Sequence, residues 1–142
     1  ASDLIVSSYK SRLVSLAADS GRLLWFKEIS SATGVAVDRT NLAVSENNGD
    51  LWMLDRRNGS TIWKIDRMEN RGLTRPAFYG NYVVVGDQEG YLHWLDTDIG
   101  AFVARVRAGK KGFAAAPLAV GTTLYVLTQK GDLIAYRAGA AI

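Results

Sequence analysis

Apolar residues fall in short runs broken by polar turns, and the breaks recur. Leu4-Ile5-Val6, Leu42-Ala43-Val44, Val83-Val84-Val85 and Leu124-Tyr125-Val126 each lead into a polar turn, YKSR, NNGD, QEGY or QKGD. A second run follows each turn: LVSLA, LWMLD, LHWLD or LIAYR. A short polar turn between two β-rich runs predicts a hairpin. The Leu that opens the second run stands at 13, 51, 92 and 133, with spacings of 38, 41 and 41. A period of about 40 residues points to a repeat architecture.

The rest of each period completes the unit. After the second run come turns that carry Asp and Gly: DSG, DRRNG and DTDIG. Asp caps its own turn, and Gly takes left-handed backbone. A third run follows in RLLWFKEI, STIWKIDR and AFVARVRA, and a short run precedes each later unit at Val35–Val37, Pro76–Tyr79 and Pro117–Val120. Each complete unit therefore predicts four antiparallel strands, the make-up of a β-propeller blade. Runs such as LWML and YVVVG are apolar on both faces, as expected when a sheet is covered on both sides. A plain β-sandwich would also give short strands, but no sequence period.

The first unit begins at its second strand and the last ends after its third. The fold expected is all-β: a β-propeller fragment of about three and a half four-stranded antiparallel blades. It is read as one partial domain with repeat units at approximately 1–30, 31–70, 71–110 and 111–142, closing on the tail AGAAI. The start, ASDLIVSSY, enters a strand-like run almost at once, as expected of a stretch cut from a longer chain. An open arc of this kind is expected to expose apolar flanks and unpaired strand edges, and so to self-associate.

The Gly-and-Trp spacing resembles the PQQ-type propeller repeat, in which a Trp stands four residues after a Gly. Gly21 is followed by Trp25 and Gly59 by Trp63, whereas Gly100 is followed by Ala104. Asp55 and Asp96 fill the family's Asp position; Ala17 and Arg137 replace it in the outer units. The resemblance implies that the Trp docks one blade on the next. The stretch YGNYVVVGDQEGYLHWLD, with RPAF before it and GAFVAR after it, is similar to the C-terminal half of the BamB family, and KGFAAAPLAVGTTLYVLTQKGDLIAYR resembles that family's final blade. These are propeller lipoproteins of the outer-membrane β-barrel assembly machinery. The resemblance implies an eight-bladed ring, a place on the periplasmic side of the outer membrane, and a lipid anchor outside this stretch. It also implies a partner, the POTRA domains of BamA within the barrel assembly complex, and a non-enzymatic role in assembling and inserting outer-membrane β-barrels. The alternative reading is a fragment of a PQQ-dependent quinoprotein dehydrogenase or a PQQ-type ligand-sensing propeller domain.

Composition narrows the chemistry. The chain of 142 residues has 48% hydrophobic and 22% charged residues, ordinary for a globular domain. Its net charge of +3 is spread out, and Glu69 interrupts the first of the two densest basic clusters, Arg67–Arg75 and Arg105–Lys111, so no nucleic-acid partner is expected. With no Cys and one His there is neither a disulfide framework nor a His pair for a metal. His93, in YLHWL, reads as a packed strand residue with one satisfied nitrogen. No Ser sits in a G-x-S-x-G elbow, Asp55 and Asp96 read as turn caps, and VVVGDQEG is not a phosphate loop. No catalytic residue, metal or cofactor is expected, since no set of PQQ and calcium ligands is recognisable.

Function is then expected on loops. In a four-stranded meander the inter-blade loops share a face with the turns between second and third strands. Two of these loops, DRMENRGLTRP and RAGKKGFAAAP, place basic residues beside Gly and one large apolar residue. Leu73 and Phe113 are the candidate partner anchors, with Arg71, Arg75, Lys110 and Lys111 as their polar rim; the competing expectation is that Leu73 and Phe113 tuck between blades. Gly21, Trp25, Asp55, Gly59, Trp63, Asp96 and Gly100 are expected to be structural.

Overall fold

The computed structural model describes residues 3–8, 10 and 12–138. Tyr9 and Ser11 of the first hairpin turn, and the tail after Ala138, lie outside the described residues. Among those described there are fourteen strands and no helix. The first sheet holds β1 (Asp3–Ser7), β2 (Leu13–Ala17) and β3 (Leu23–Lys27). The second holds β4 (Val35–Val37), β5 (Asn41–Ser45), β6 (Leu51–Asp55) and β7 (Thr61–Ile65). The third holds β8 (Ala77–Tyr79), β9 (Tyr82–Gly86), β10 (Tyr91–Asp96) and β11 (Phe102–Arg107). The last holds β12 (Leu118–Val120), β13 (Thr123–Leu127) and β14 (Leu133–Tyr136). Each is an antiparallel meander in chain order. The short first strands β4, β8 and β12 approach one another from sheet to sheet, so they line a shared inner side. These are stacked propeller blades, as the period predicts.

Three apolar layers lie between consecutive blades, and each draws on the same repeat positions. Between the first and second blades, Leu13, Trp25 and Ile29 meet Leu42, Val44 and Leu54. Between the second and third, Leu51, Met53, Trp63 and Met68 meet Val83, Val85 and Leu95. Between the third and fourth, Leu92 and Trp94 meet Leu124 and Val126, with Tyr136 packed against them. One face of every strand pair therefore serves the preceding layer and the other face the next. That is why the middle strands are apolar throughout rather than alternating.

The Trp dock works through the Gly of the following blade. Trp25 Nε1 donates to the Arg56 carbonyl at 2.9 Å, and Trp63 Nε1 to that of Thr97 at 2.8 Å. Their rings lie flat against Gly59 and Gly100: a Cβ at Gly59 would sit 2.6 Å from the Trp25 ring, and one at Gly100 2.7 Å from the Trp63 ring. Burying a side chain of this size stabilises by roughly 1.5–3 kcal/mol. Asp55 and Asp96 do cap their turns, accepting from the amides of Arg57 and Asp98 at 2.8 Å each.

The third unit, which has Ala104 in place of the Trp, keeps an indole in the layer by a different route. Ala104 pairs across the sheet with Trp94, just as Trp63 pairs with Met53 and Trp25 with Ser15. The large side chain has crossed from the outer strand to its neighbour. There it packs edge-on to Tyr79, at 5.5 Å between centroids, and to Tyr136 at 6.4 Å. The first and second blades are further clamped by a forked ion pair: Arg56 Nη2 to Asp3 Oδ1 at 2.7 Å and Nε to Oδ2 at 3.1 Å. The Arg56 guanidinium beside Asp3 holds its carboxyl below the usual range, against the effect of burial.

Candidate functional site

The inter-blade loops and the turns between second and third strands form one face, locked together by a hydrogen bond that repeats with the period. The amides of Asn47, Gln88 and Gln129, in those turns, donate to the carbonyls of Ser30, Arg71 and Gly112, in the loops, at 2.8, 2.8 and 2.9 Å. Both series step by 41 residues. Gly49 and Gly90 press against the backbone of the loops at Met68 and Gly109, so closely that no Cβ fits between. These loops are therefore fixed by backbone contacts and carry little freedom of their own. No motif marks Asn47, Gln88 or Gln129 in the sequence; their common spacing is the signal that could have found them.

The six candidate contact residues divide into two sets. Leu73 is 8% exposed and sits in the layer between the second and third blades. Phe113 is half-buried; its ring lies over Gly86, where a Cβ would come within 2.5 Å. Both side chains tuck inward, the second of the two expectations for them, and their apolar surface is largely spent on packing. Arg75, Lys110 and Lys111 are exposed. Arg71 is partly exposed, with Nη1 3.4 Å from Asp87 and 3.9 Å from Glu89.

Two hollows open between these residues. One, of about 370 Å3, runs from Thr33 past Leu73, Thr74 and Arg75 to Phe113, and so spans three successive inter-blade loops. The other, of about 250 Å3, is lined by Lys110, Lys111, Lys130 and Asp132. The face thus offers cationic tips on a rigid frame, with small recesses between them. Nothing in it resembles a catalytic constellation, and among the described residues no group of three or more His, Asp or Glu is placed to hold a metal ion.

Beside this face lies a buried His–Asp hydrogen bond that sequence reasoning caught by half. His93 is 4% exposed and, as expected, has one nitrogen satisfied, Nε2 lying 2.8 Å from Asp87 Oδ2. Asp87 had no role in the sequence reading, yet it is the hub. Burial pushes its carboxyl up, but hydrogen bonds from His93 and from the amides of Tyr91 and Glu89 outweigh that and hold it below the ordinary value.

Radially stacked four-stranded sheets, docked Trp to Gly, define an arc of a PQQ-type β-propeller. Residues 1–65 match the family described as "Outer membrane protein assembly factor BamB". The protein of that name from Pseudomonas aeruginosa is 44% identical over 133 residues, which covers 94% of this chain and 35% of the relative. The crystal structure of BamB from Moraxella catarrhalis superposes with a TM-score of 0.88 at 25% identity, over 96% of this chain and 40% of that one. A quinohemoprotein alcohol dehydrogenase from Comamonas testosteroni shares the fold alone, with a TM-score of 0.77 at 16% identity over 96% of this chain and 32% of that one. The chain belongs to the BamB family, and it spans about a third of the length of the curated relatives it matches.

Proposed function

We propose that the chain serves as a non-enzymatic scaffold in the assembly and insertion of β-barrel proteins into the bacterial outer membrane. The 44% identity to a relative named as an outer-membrane assembly factor carries this reading. The loop face supplies the means: side chains held at fixed places by blade packing can meet a partner with little loss of freedom. The partner in this reading is the POTRA region of BamA within the barrel assembly complex. The site of action is the periplasmic side of the outer membrane, reached through a lipid anchor on the intact protein. Contact falls to Arg71, Arg75, Lys110 and Lys111, with Leu73 and Phe113 acting from beneath by fixing the loops. The dehydrogenase reading rests on shared fold at 16% identity and on no ligand set.

The test is charge reversal in the intact protein. Arg71→Glu with Arg75→Glu, and separately Lys110→Glu with Lys111→Glu, are expected to weaken binding to purified POTRA domains by about tenfold each, with the loss shrinking at high salt. Affinity unchanged in both variants removes this face from the interface. On its own, the 142-residue chain is expected to self-associate through its two open flanks, where Leu4, Phe26, Leu118 and Leu133 are 55, 47, 60 and 70% exposed. A monodisperse monomer in sedimentation analysis at high concentration counts against that.

A further inference from the structure

A set of repeat positions shared by the second and third blades is filled differently, and the difference opens a groove. In the second blade Trp52 donates from Nε1 to Glu46 at 2.9 Å, and Lys64 lies over its ring at 4.9 Å. Forty-one residues on, the same two positions hold His93 and Asp87, bonded in the same sense. Imidazole is much smaller than indole, and Lys64 is replaced across the strand pair by Arg105. The space left is a groove of about 400 Å3 with the His93 ring at its floor and Met68 and Phe102 in its walls.

Three guanidinium groups, those of Arg67, Arg71 and Arg105, share this groove. No carboxylate lines the groove among the described residues; Asp87, behind His93, is fully buried and engaged by His93 and two backbone amides. Arg71 is shared between Asp87 and the exposed Glu89. Among the described residues, no carboxylate lies within 4.0 Å of Arg67 or Arg105. Arg105 is instead steadied over the Tyr91 ring at 4.7 Å, which leaves its donors free. The groove lies wholly between two interior blades, so both of its walls belong to the described chain.

We propose that this groove binds a phosphate group. Arg67 and Arg105 can each donate a forked pair of N–H bonds, and Arg71, its Nη1 shared with Asp87 and Glu89, can add a further one. A tetrahedral phosphate has enough acceptor oxygens for all three, whereas a planar carboxylate has two oxygens to share among them. Met68 and Phe102 offer an apolar wall to the carbon chain next to the phosphate. Free phosphate and the phosphomonoester headgroup of phosphatidic acid present the same chemistry.

His93 is the one His of this chain and its ring forms the floor, so it reports directly on occupancy. In the intact protein, the imidazole resonance that disappears in His93→Gln is followed while inorganic phosphate is added. In parallel, the protein is floated with vesicles of phosphatidylcholine alone or of phosphatidylcholine with phosphatidic acid. The expected result is a saturable shift with phosphate, weakened by about tenfold or more in Arg67→Ala/Arg105→Ala and retained in Arg39→Ala/Arg57→Ala on the opposite face. Flotation with phosphatidic acid that is lost in the same Arg67/Arg105 variant identifies a lipid headgroup as the source; a shift with phosphate and no flotation identifies the free anion. Both Arg67 and Arg105 are exposed, so the variant keeps its fold, to be checked by its melting temperature. The absence of a saturable shift, or a shift that survives Arg67→Ala/Arg105→Ala unchanged, overturns the assignment.

Discussion

The third and fourth blades carry the same strand in two settings. β9 buries four consecutive residues, Val83, Val84, Val85 and Gly86, whereas β13 alternates: Leu124 and Val126 are buried, but Tyr125 and Leu127 are 37 and 38% exposed. Val84 and Tyr125 occupy one repeat position, yet Val84 is fully buried. The two strands do not differ in how they form. They differ in what lies beside them, because β9 has a blade against each face and β13 has a described neighbour against only one. A blade's strands are a local property of its sequence, and their burial belongs to the stack.

The contrast can be broken at the docking layers, where the largest effect is expected. Trp63→Ala removes an indole from between two interior blades together with its bond to Thr97, and is expected to cost about 3–5 kcal/mol in chemical denaturation. A loss under about 1 kcal/mol would mean the blades are not held through this layer. A narrower test uses two glycines with the same backbone. Gly100 and Gly21 have φ of 72° and 71°, but only Gly100 lies under a Trp, and Gly21 has nothing within 4 Å of where a Cβ would stand. Ala at Gly21 meets only the left-handed backbone penalty, about 1–2 kcal/mol. Ala at Gly100 adds overpacking against Trp63, a further 1–3 kcal/mol or so. Equal losses at the two sites would deny the Trp–Gly dock any energetic part.

The smallest effect is one of pH, and it sharpens the contrast between blades. The buried position held by Asp87 in the third blade is held by Thr128, which does not ionise, in the fourth. The Asp87 carboxyl lies below its ordinary value in the folded chain. It therefore contributes stability that is fully present above about pH 3.9, the unfolded value, and is lost as pH falls through the lower folded one. The denaturation midpoint is expected to drop on acidification below about pH 4, and to drop less in Asp87→Asn. An unchanged acid slope in that variant would assign the sensitivity to other carboxylates.

The strand ladder, the hairpins and the capped turns were legible because each depends on neighbours in the chain; the docking role of Trp25 and Trp63 was implied by the family resemblance, and its partners Gly59 and Gly100 lie in the next blade. Asp55 caps a turn two residues away, and Gly59 takes a conformation that few other residues tolerate. The loop face was legible in outline, since a meander fixes which turns share a side. Its inner workings were not. The burial of Leu73 and the half-burial of Phe113 depend on the blade that follows. The partnership of Asp87 with His93 depends on two strands meeting in register, and the groove beside them depends on a small imidazole standing where the preceding unit carries Trp52.

Sequence alone determined that this chain is a run of four-stranded units repeating about every 40 residues, because turn chemistry and strand periodicity act over a few residues and leave their mark in order. It also determined the kinship, through the Gly, Trp and Asp positions. Tertiary structure alone decided that Trp94 could stand in for the Trp absent at Ala104. A layer between blades needs the volume of an indole, and packing is indifferent to which of two paired strands supplies it. It likewise decided which charged groups face one another across a groove, since Arg67 reaches the paired His93 and Arg105 only through the stacking of two sheets.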